Sequence, residues 1–187
     1  MPILCSDMKE IEIKARIRDI DTLTGVLAAK GFVFGEPAVQ NDVIFLPAGI
    51  EFPEITKGVP VVRVRNADGV FTLTLKMRVI AGKELIKLEK EVNVSDDKTA
   101  IEIVSLMGFH EVIRVGKKRM ECEHDGVTVC IDDVTGLGAF IEVERLSEGE
   151  NGEAVQEDLK AFLLSLGIGT DDIVTKGYDT LLCGKGI

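Results

Sequence analysis

A chain of 187 residues with 45% hydrophobic content can bury one sizeable core, so its length points to one domain with room for a helical appendage. A formal net charge of −10 disfavours a nucleic-acid or anionic-membrane partner for the surface as a whole. Cys5, Cys122, Cys130 and Cys183 form no CxxC pair or metal-finger spacing, and no signal-peptide pattern or apolar run near ~18 residues is present; the expected setting is a soluble cytoplasmic protein with reduced thiols.

In Glu10 to Arg18 charged residues take every even position and apolar residues every odd one, the period of two that belongs to a strand. Asp19 or Asp21 can cap a helix through about Lys30, with Leu23, Val26 and Leu27 at helical spacing and Gly31 as its stop. A strand is expected from about Phe32 to Leu46, then a loop from Pro47 to Pro60. Val61 to Arg65 and Val70 to Lys76 flank an Asp68-Gly69 turn and read as a hairpin, followed by a strand over Leu85 to Val94. Ser95, Asp96 and Asp97 start an amphipathic helix that Gly108 ends. His110 to Glu123 and Val127 to Val134 flank a second turn at Asp125-Gly126, and Ala139 to Leu146 follows the glycines at 136 and 138. An acidic linker over Ser147 to Glu153 leads to a helix carrying Leu159, Phe162, Leu163 and Leu166, with one or two short helices over Asp171 to Cys183. The outline is about eight strands, mostly antiparallel, and about three helices.

The charged residues in phase on these strands are Glu10, Glu12, Lys14, Arg63, Arg65, Lys76, Lys87, Glu89, Glu91, Lys117, Arg119, Asp132, Glu142 and Glu144. Two architectures accommodate them. In an ordinary α+β layer the charged faces are wet and the helices cover the apolar side; in a closed barrel the charged faces point inward and must compensate one another. Acids and bases balance in this set, as enclosure requires. A polyphosphate entering with divalent cations preserves that balance, since bases clamp phosphate oxygens while carboxylates hold the cations. His110 and His124 sit in no ligand motif, which disfavours a histidine-ligated metal and leaves oxygen-ligated Mg²⁺ or Mn²⁺.

Glu10-Ile11-Glu12-Ile13-Lys14 resembles the ExExK signature of the CYTH superfamily, the triphosphate tunnel metalloenzymes that include class IV adenylate cyclases and thiamine triphosphatases. Further matches are Gln40 to Phe45, Val62 to Arg65, Leu73 to Lys76, Lys87 to Glu91, Lys117 to Arg119, and Ile131 to Glu144 with its Gly-Leu-Gly-Ala-Phe-Ile-Glu-Val-Glu ending. The family often has Tyr where this chain has Ile44.

The resemblance implies a single domain over 1–187, with its core at about 9–146 and a C-terminal helical segment at about 152–183. Its fold would be a closed eight-stranded antiparallel β-barrel with a polar interior, surrounded by helices and binding a triphosphate with two Mg²⁺ or Mn²⁺ ions. It assigns Glu10, Glu12, Asp132, Glu142 and Glu144 to metal, with Glu89 or Glu91 assisting. It assigns Lys14, Arg63, Arg65, Lys76, Lys87, Lys117 and Arg119 to phosphate, and catalysis to Lys14, Lys76, Arg119 and Asp132. The implied activities are an adenylate cyclase-like conversion of ATP to cyclic AMP and pyrophosphate, or hydrolysis of inorganic triphosphate, thiamine triphosphate or a nucleotide. A non-catalytic polyphosphate-binding module is the third reading. The partner is the triphosphate substrate, with no nucleic acid and no membrane; the oligomeric state, a homodimer included, is left open.

Overall fold

Asp-Gly pairs suit tight hairpins because the type I′ turn needs positive φ at both central residues. In the computed structural model Asp68 and Gly69 have φ of 47° and 87°, and Asp125 and Gly126 have 53° and 70°. The structure describes residues 8–52, 58–81, 84–148 and 152–184, and the side chains within them except at 8–10, 78–81, 84–87 and 147–148. The first turn joins β3 (Pro60–Ala67) to β4 (Val70–Ala81), and the second joins β6 (Phe109–His124) to β7 (Val127–Val134).

One compact unit comprises residues 1–37, 119–133 and 138–175. It holds β1 (Met8–Arg16), β8 (Gly138–Glu148), most of β7, helix α1 (Ile20–Ala29), helix α3 (Gly152–Ser165) and the two-residue strand β9 (Ile173–Val174). Ile13 and Ala15 of β1, Ile141 and Val143 of β8, and Val127, Val129 and Ile131 of β7 form one core with Leu23 and Leu27 of α1 and Leu159 and Leu163 of α3. Burying a side chain of this size contributes about 1.5–3 kcal/mol. The intervening residues, Lys14, Glu142, Cys130 and Asp132, therefore take the opposite face of the sheet. Asp19 is the cap of α1, accepting from the Thr22 backbone N–H at 3.1 Å and from the Thr22 hydroxyl at 2.6 Å. Gly31 follows at φ 94°, where a Cβ would come within 2.9 Å of the His124 ring.

The other unit comprises residues 38–118, 134–137 and 176–187. It holds β2 (Ala38–Pro47), β3, β4, β5 (Glu84–Val94), helix α2 (Asp97–Leu106), the first part of β6 and helix α4 (Tyr178–Cys183). Val43 and Phe45 of β2 and Val62 and Val64 of β3 pack on Ala100 and Val104 of α2, which Asp96 caps through the Thr99 N–H at 2.8 Å.

The closed eight-stranded barrel is not what forms. Among the described residues the strands make one antiparallel sheet of nine in the order β5-β4-β3-β2-β6-β7-β8-β1-β9, and the sheet does not close. Closure needs the end strands to pair. Instead β9 takes the outer edge of β1, with Lys14 opposite Val174 and Ala15 opposite Ile173, while β5 ends the ladder at the other side. The charged residues of β5, Glu89, Lys90 and Glu91 among them, blunt that edge against further pairing. Among the described residues there are four α-helices, and where one or two short helices were expected over Asp171 to Cys183, α4 forms after a 3₁₀ turn, Thr170–Asp172, and β9. The strand expected from Phe32 begins at Ala38, because Phe32 closes the C-terminus of α1 through its backbone N–H to Leu27 and is buried in the core. Within the predicted loop from Pro47 to Pro60, residues 53–57 lie outside the described residues.

Candidate active site

The even-numbered face of β1 meets β8 in a fixed register: Glu12 is opposite Glu144 and Lys14 is opposite Glu142. Lys14 Nζ lies 2.5 Å from Glu142 Oε1, and both side chains are about nine-tenths buried. The other carboxylate oxygen of Glu142 accepts from Arg119, whose guanidinium also grips Asp132 through two bonds, Nε to Oδ1 at 2.7 Å and Nη2 to Oδ2 at 2.6 Å. Asp132 is completely buried. Burial works against the charge of Arg119, but the hydrogen bond it donates to Asp132 and the charges of Glu142 and Asp132 outweigh it and raise its pKa above the ordinary guanidinium value. The result is one buried network, Lys14–Glu142–Arg119–Asp132.

Cys130 lies in phase with Asp132 on β7 and is fully buried. Burial pushes its thiol pKa well above the ordinary 9.0, and Glu144, Glu121 and Glu142 push the same way against Arg119, so the neutral thiol donates to Glu121 Oε2 at 3.5 Å. Ligand atoms of Cys130, Glu142 and Glu144 lie within 4.8 Å of one another. Mg²⁺ and Mn²⁺ take oxygen ligands, which Glu142 and Glu144 supply. Like charges directly opposite on antiparallel strands destabilise the pair, and a cation beside Glu12 and Glu144 relieves that repulsion. The donor set therefore fits a hard divalent cation.

The second unit carries a basic wall. Arg65 and Asp42, opposite one another on β3 and β2, make a two-pronged pair at 2.6 and 2.7 Å. Burial opposes ionisation of Asp42, but the Arg65 hydrogen bond and the charges of Arg65, Arg63 and Lys117 hold its pKa below the ordinary 3.8. Arg63 Nη2 donates to Thr74 Oγ1 and to Glu91 Oε2, each at 3.0 Å, and Thr74 donates to the same Glu91 oxygen at 2.7 Å. Lys76 Nζ is 2.9 Å from Glu89 Oε2. Lys117 is buried with its ammonium 5.3 Å from the centre of the Tyr178 ring.

Of the residues singled out from the sequence, Lys14, Arg119, Asp132 and Glu142 form one network, with Glu144 near it and Glu12 opposite Glu144. Arg63, Glu89, Glu91 and Lys76 form another, beside the Arg65–Asp42 pair. Glu10 lies opposite Leu146 and Lys87 opposite Arg78, and the side chains of Glu10 and Lys87 fall outside the described residues. Ile44 is buried opposite Arg63. Sequence reasoning missed four contributors: Asp42, Thr74, Cys130 and Tyr178. The first three share the phase of charged or polar neighbours on their strands, a signal that was available; nothing local marks Tyr178.

The CYTH domain family model matches residues 8–178. The chain belongs to the CYTH domain family. This CYTH chain is 32% identical over 172 residues to a Methanocaldococcus jannaschii protein provisionally named an adenylate cyclase, covering 91% of this chain and 97% of that one. It is 25% identical over 174 residues to adenylate cyclase CyaB of Aeromonas hydrophila, covering 92% and 87%. Among solved structures, the CYTH fold recurs in a Hippeastrum protein, HpAC1, with a TM-score of 0.61, 19% identity and 95% of each chain covered. That protein is described as a provisional adenylyl cyclase with a dominant triphosphatase activity. Among the described residues of the CYTH chain no helix is long and apolar enough to cross a membrane.

Proposed function

We propose that the chain is a divalent-cation-dependent enzyme of the cytoplasm acting on a triphosphate, with an adenylate cyclase-like reaction that converts ATP to cyclic AMP and pyrophosphate. The observation that carries this reading is the buried Lys14–Glu142–Arg119–Asp132 network beside Glu144, which sets fixed cations next to carboxylates able to hold Mg²⁺ or Mn²⁺. Relatives bearing adenylate cyclase names support it. Glu10, Glu12, Glu142 and Glu144 hold the cations, with Asp132 holding Arg119 in place as well as assisting them. Bound cations would neutralise phosphate charge and polarise the P–O bonds.

The remaining work is positioning and charge stabilisation by the chain itself. Lys14 and Arg119 stabilise charge that builds on phosphate oxygens. Arg63, Arg65, Lys76, Lys87 and Lys117 grip phosphates. The ribose 3′-hydroxyl attacks the α-phosphorus, the bond to the bridging oxygen of pyrophosphate breaks, and the hydroxyl proton passes to solvent.

The triphosphatase described for the Hippeastrum relative favours a second reading, in which water attacks the terminal phosphorus of the same kind of substrate. A pure binding module has no need of so many carboxylates. The test is to incubate the purified protein with ATP and with inorganic triphosphate, each with Mg²⁺ or Mn²⁺, and resolve the products. Cyclic AMP with pyrophosphate supports the cyclase; orthophosphate with no cyclic product removes it in favour of the triphosphatase; no turnover of either removes both.

A further inference from the structure

Antiparallel register divides the polar face of β2 to β5 into cross-strand rows, because residues directly opposite one another share a face. Lys76 and Glu89 form one row. Two residues further, Ile44, Arg63, Thr74 and Glu91 form the next, and beyond it come Asp42, Arg65, Thr72 and Asn93. Gln40 and Ala67 lie one row further again. Rows are about 6.8 Å apart along the strands.

The rows differ in how firmly their cations are held. The partners of Lys76 and Arg63 are Glu89 and Glu91, whose side chains are 35% and 46% exposed. Exposed pairs of this kind are weak and open readily to an incoming phosphate. Arg65 is bound by both oxygens of Asp42, whose side chain is only 8% exposed, so it stays on Asp42 when a phosphate binds beside it.

Three polar atoms here are covered and have no hydrogen-bond partner among the described residues: Gln40 Oε1, Thr72 Oγ1 and Arg63 Nε. A buried polar group left unsatisfied costs stability, so such atoms are rare and mark a missing partner. Two of the three belong to the locked Arg65 row and the row beyond it, and both are uncharged. An uncharged acceptor and a hydroxyl suit a neutral polar ligand rather than a phosphate.

Resting on the triphosphate reading above, we propose that Gln40 and Thr72 form a subsite for the nucleoside end of the substrate. Gln40 Oε1 accepts a hydrogen bond from an exocyclic amine of the base or from a ribose hydroxyl. The Thr72 hydroxyl pairs with the sugar. Arg63 Nε donates to the phosphate nearest the sugar, so the three orphan atoms are satisfied together when a nucleoside triphosphate is bound. Inorganic triphosphate leaves the Gln40 and Thr72 positions unfilled.

The experiment is calorimetric titration of the wild-type protein, Gln40→Leu and Thr72→Val with inorganic triphosphate and with a non-hydrolysable ATP analogue, all with Mg²⁺. Each substitution is expected to weaken the ATP analogue about tenfold and the double variant by more, with inorganic triphosphate affinity unchanged within twofold. Equal losses for both ligands, or no loss for either, overturn the subsite. So does wild-type protein that binds inorganic triphosphate and not the analogue, an outcome that leaves the triphosphate reading standing. Wild-type protein that binds neither ligand removes that reading itself. Thr72→Ser, which keeps the hydroxyl, is expected to retain analogue affinity; loss there as large as in Thr72→Val overturns the role of the hydroxyl.

Discussion

The Arg119 network and the Arg63 network are built from the same residue types and answer burial in opposite ways. Arg119 and its partners Asp132 and Glu142 are each at least nine-tenths buried, and Arg119 donates to three of the four oxygens on those carboxylates. Arg63 is about as buried, but its carboxylate partners stand 35% and 46% exposed. Low surrounding polarity makes the first set interdependent: no member can leave without stranding a charge. Water competes for the second set, so its carboxylates can give way to another anion. One network is a fixed frame, and the other is a surface whose own acids hold the place of a ligand.

Breaking the frame gives the largest expected effect. Arg119→Ala removes the cation that binds both Asp132 and Glu142 in the interior and is expected to lower stability by about 3–5 kcal/mol in urea unfolding. Arg63→Ala in the same assay should cost far less, because Glu89 and Glu91 turn to water. Equal losses would erase the distinction between the two networks. Glu12→Gln separates chemistry from stability: turnover is expected to fall at least ~10²-fold while the unfolding midpoint barely moves, since a lost cation ligand removes charge stabilisation at the reacting phosphorus. Glu142→Gln should lose turnover as well, but also stability, because Lys14 and Arg119 both depend on its charge. Full activity in both variants sinks the assignment of this cluster to the metal.

How far these networks could be read from the sequence depends on how local their signals are. The alternation in Glu10 to Arg18 gives the two faces of β1 directly, because period two belongs to one strand; Ile13 and Ala15 are core, and Lys14 lies on the polar face. Asp68-Gly69 and Asp125-Gly126 fix two hairpins for the same reason. The open sheet was not legible: whether β5 meets another edge depends on strands remote in sequence, and Ile173–Val174 is too short to show a period. Nor was the sharing of Arg119 between Asp132 and Glu142, which needs β6, β7 and β8 to lie side by side. Asp42 shows the middle case, an acid in phase on its strand whose partner Arg65 only the β2–β3 register reveals.

That pair gives the next effect in size and a pH signature. Asp42 has a folded-state pKa below its ordinary value, so it binds its proton more readily when unfolded. Its contribution is therefore complete above the ordinary 3.8 and is lost as pH falls through the lower folded value. A hydrogen-bonded charged pair of this kind contributes about 1.5–3 kcal/mol. Urea unfolding followed from pH 5 downward, with pH steps small enough to resolve a slope, should show wild-type stability declining more steeply than that of Asp42→Asn. Parallel curves would show that Arg65 does not hold this carboxylate in the way the geometry implies.

The smallest expected effect probes the exposed network most directly. Glu91 accepts from both Arg63 and Thr74, and its pKa is lowered because the Thr74 hydrogen bond and the Arg63 charge and hydrogen bond together outweigh burial. At 46% exposure its pair with Arg63 is worth at most ~1 kcal/mol, so Glu91→Gln should scarcely change unfolding. The same substitution removes an anion that competes for Arg63. Inorganic triphosphate measured by calorimetry should then bind about twofold to fivefold tighter, which is the same ~1 kcal/mol appearing as affinity. Weaker binding would mean that Glu91 works with the ligand, as a carboxylate assisting a bound cation does, and the exposed acids would then belong to the site as the buried ones do.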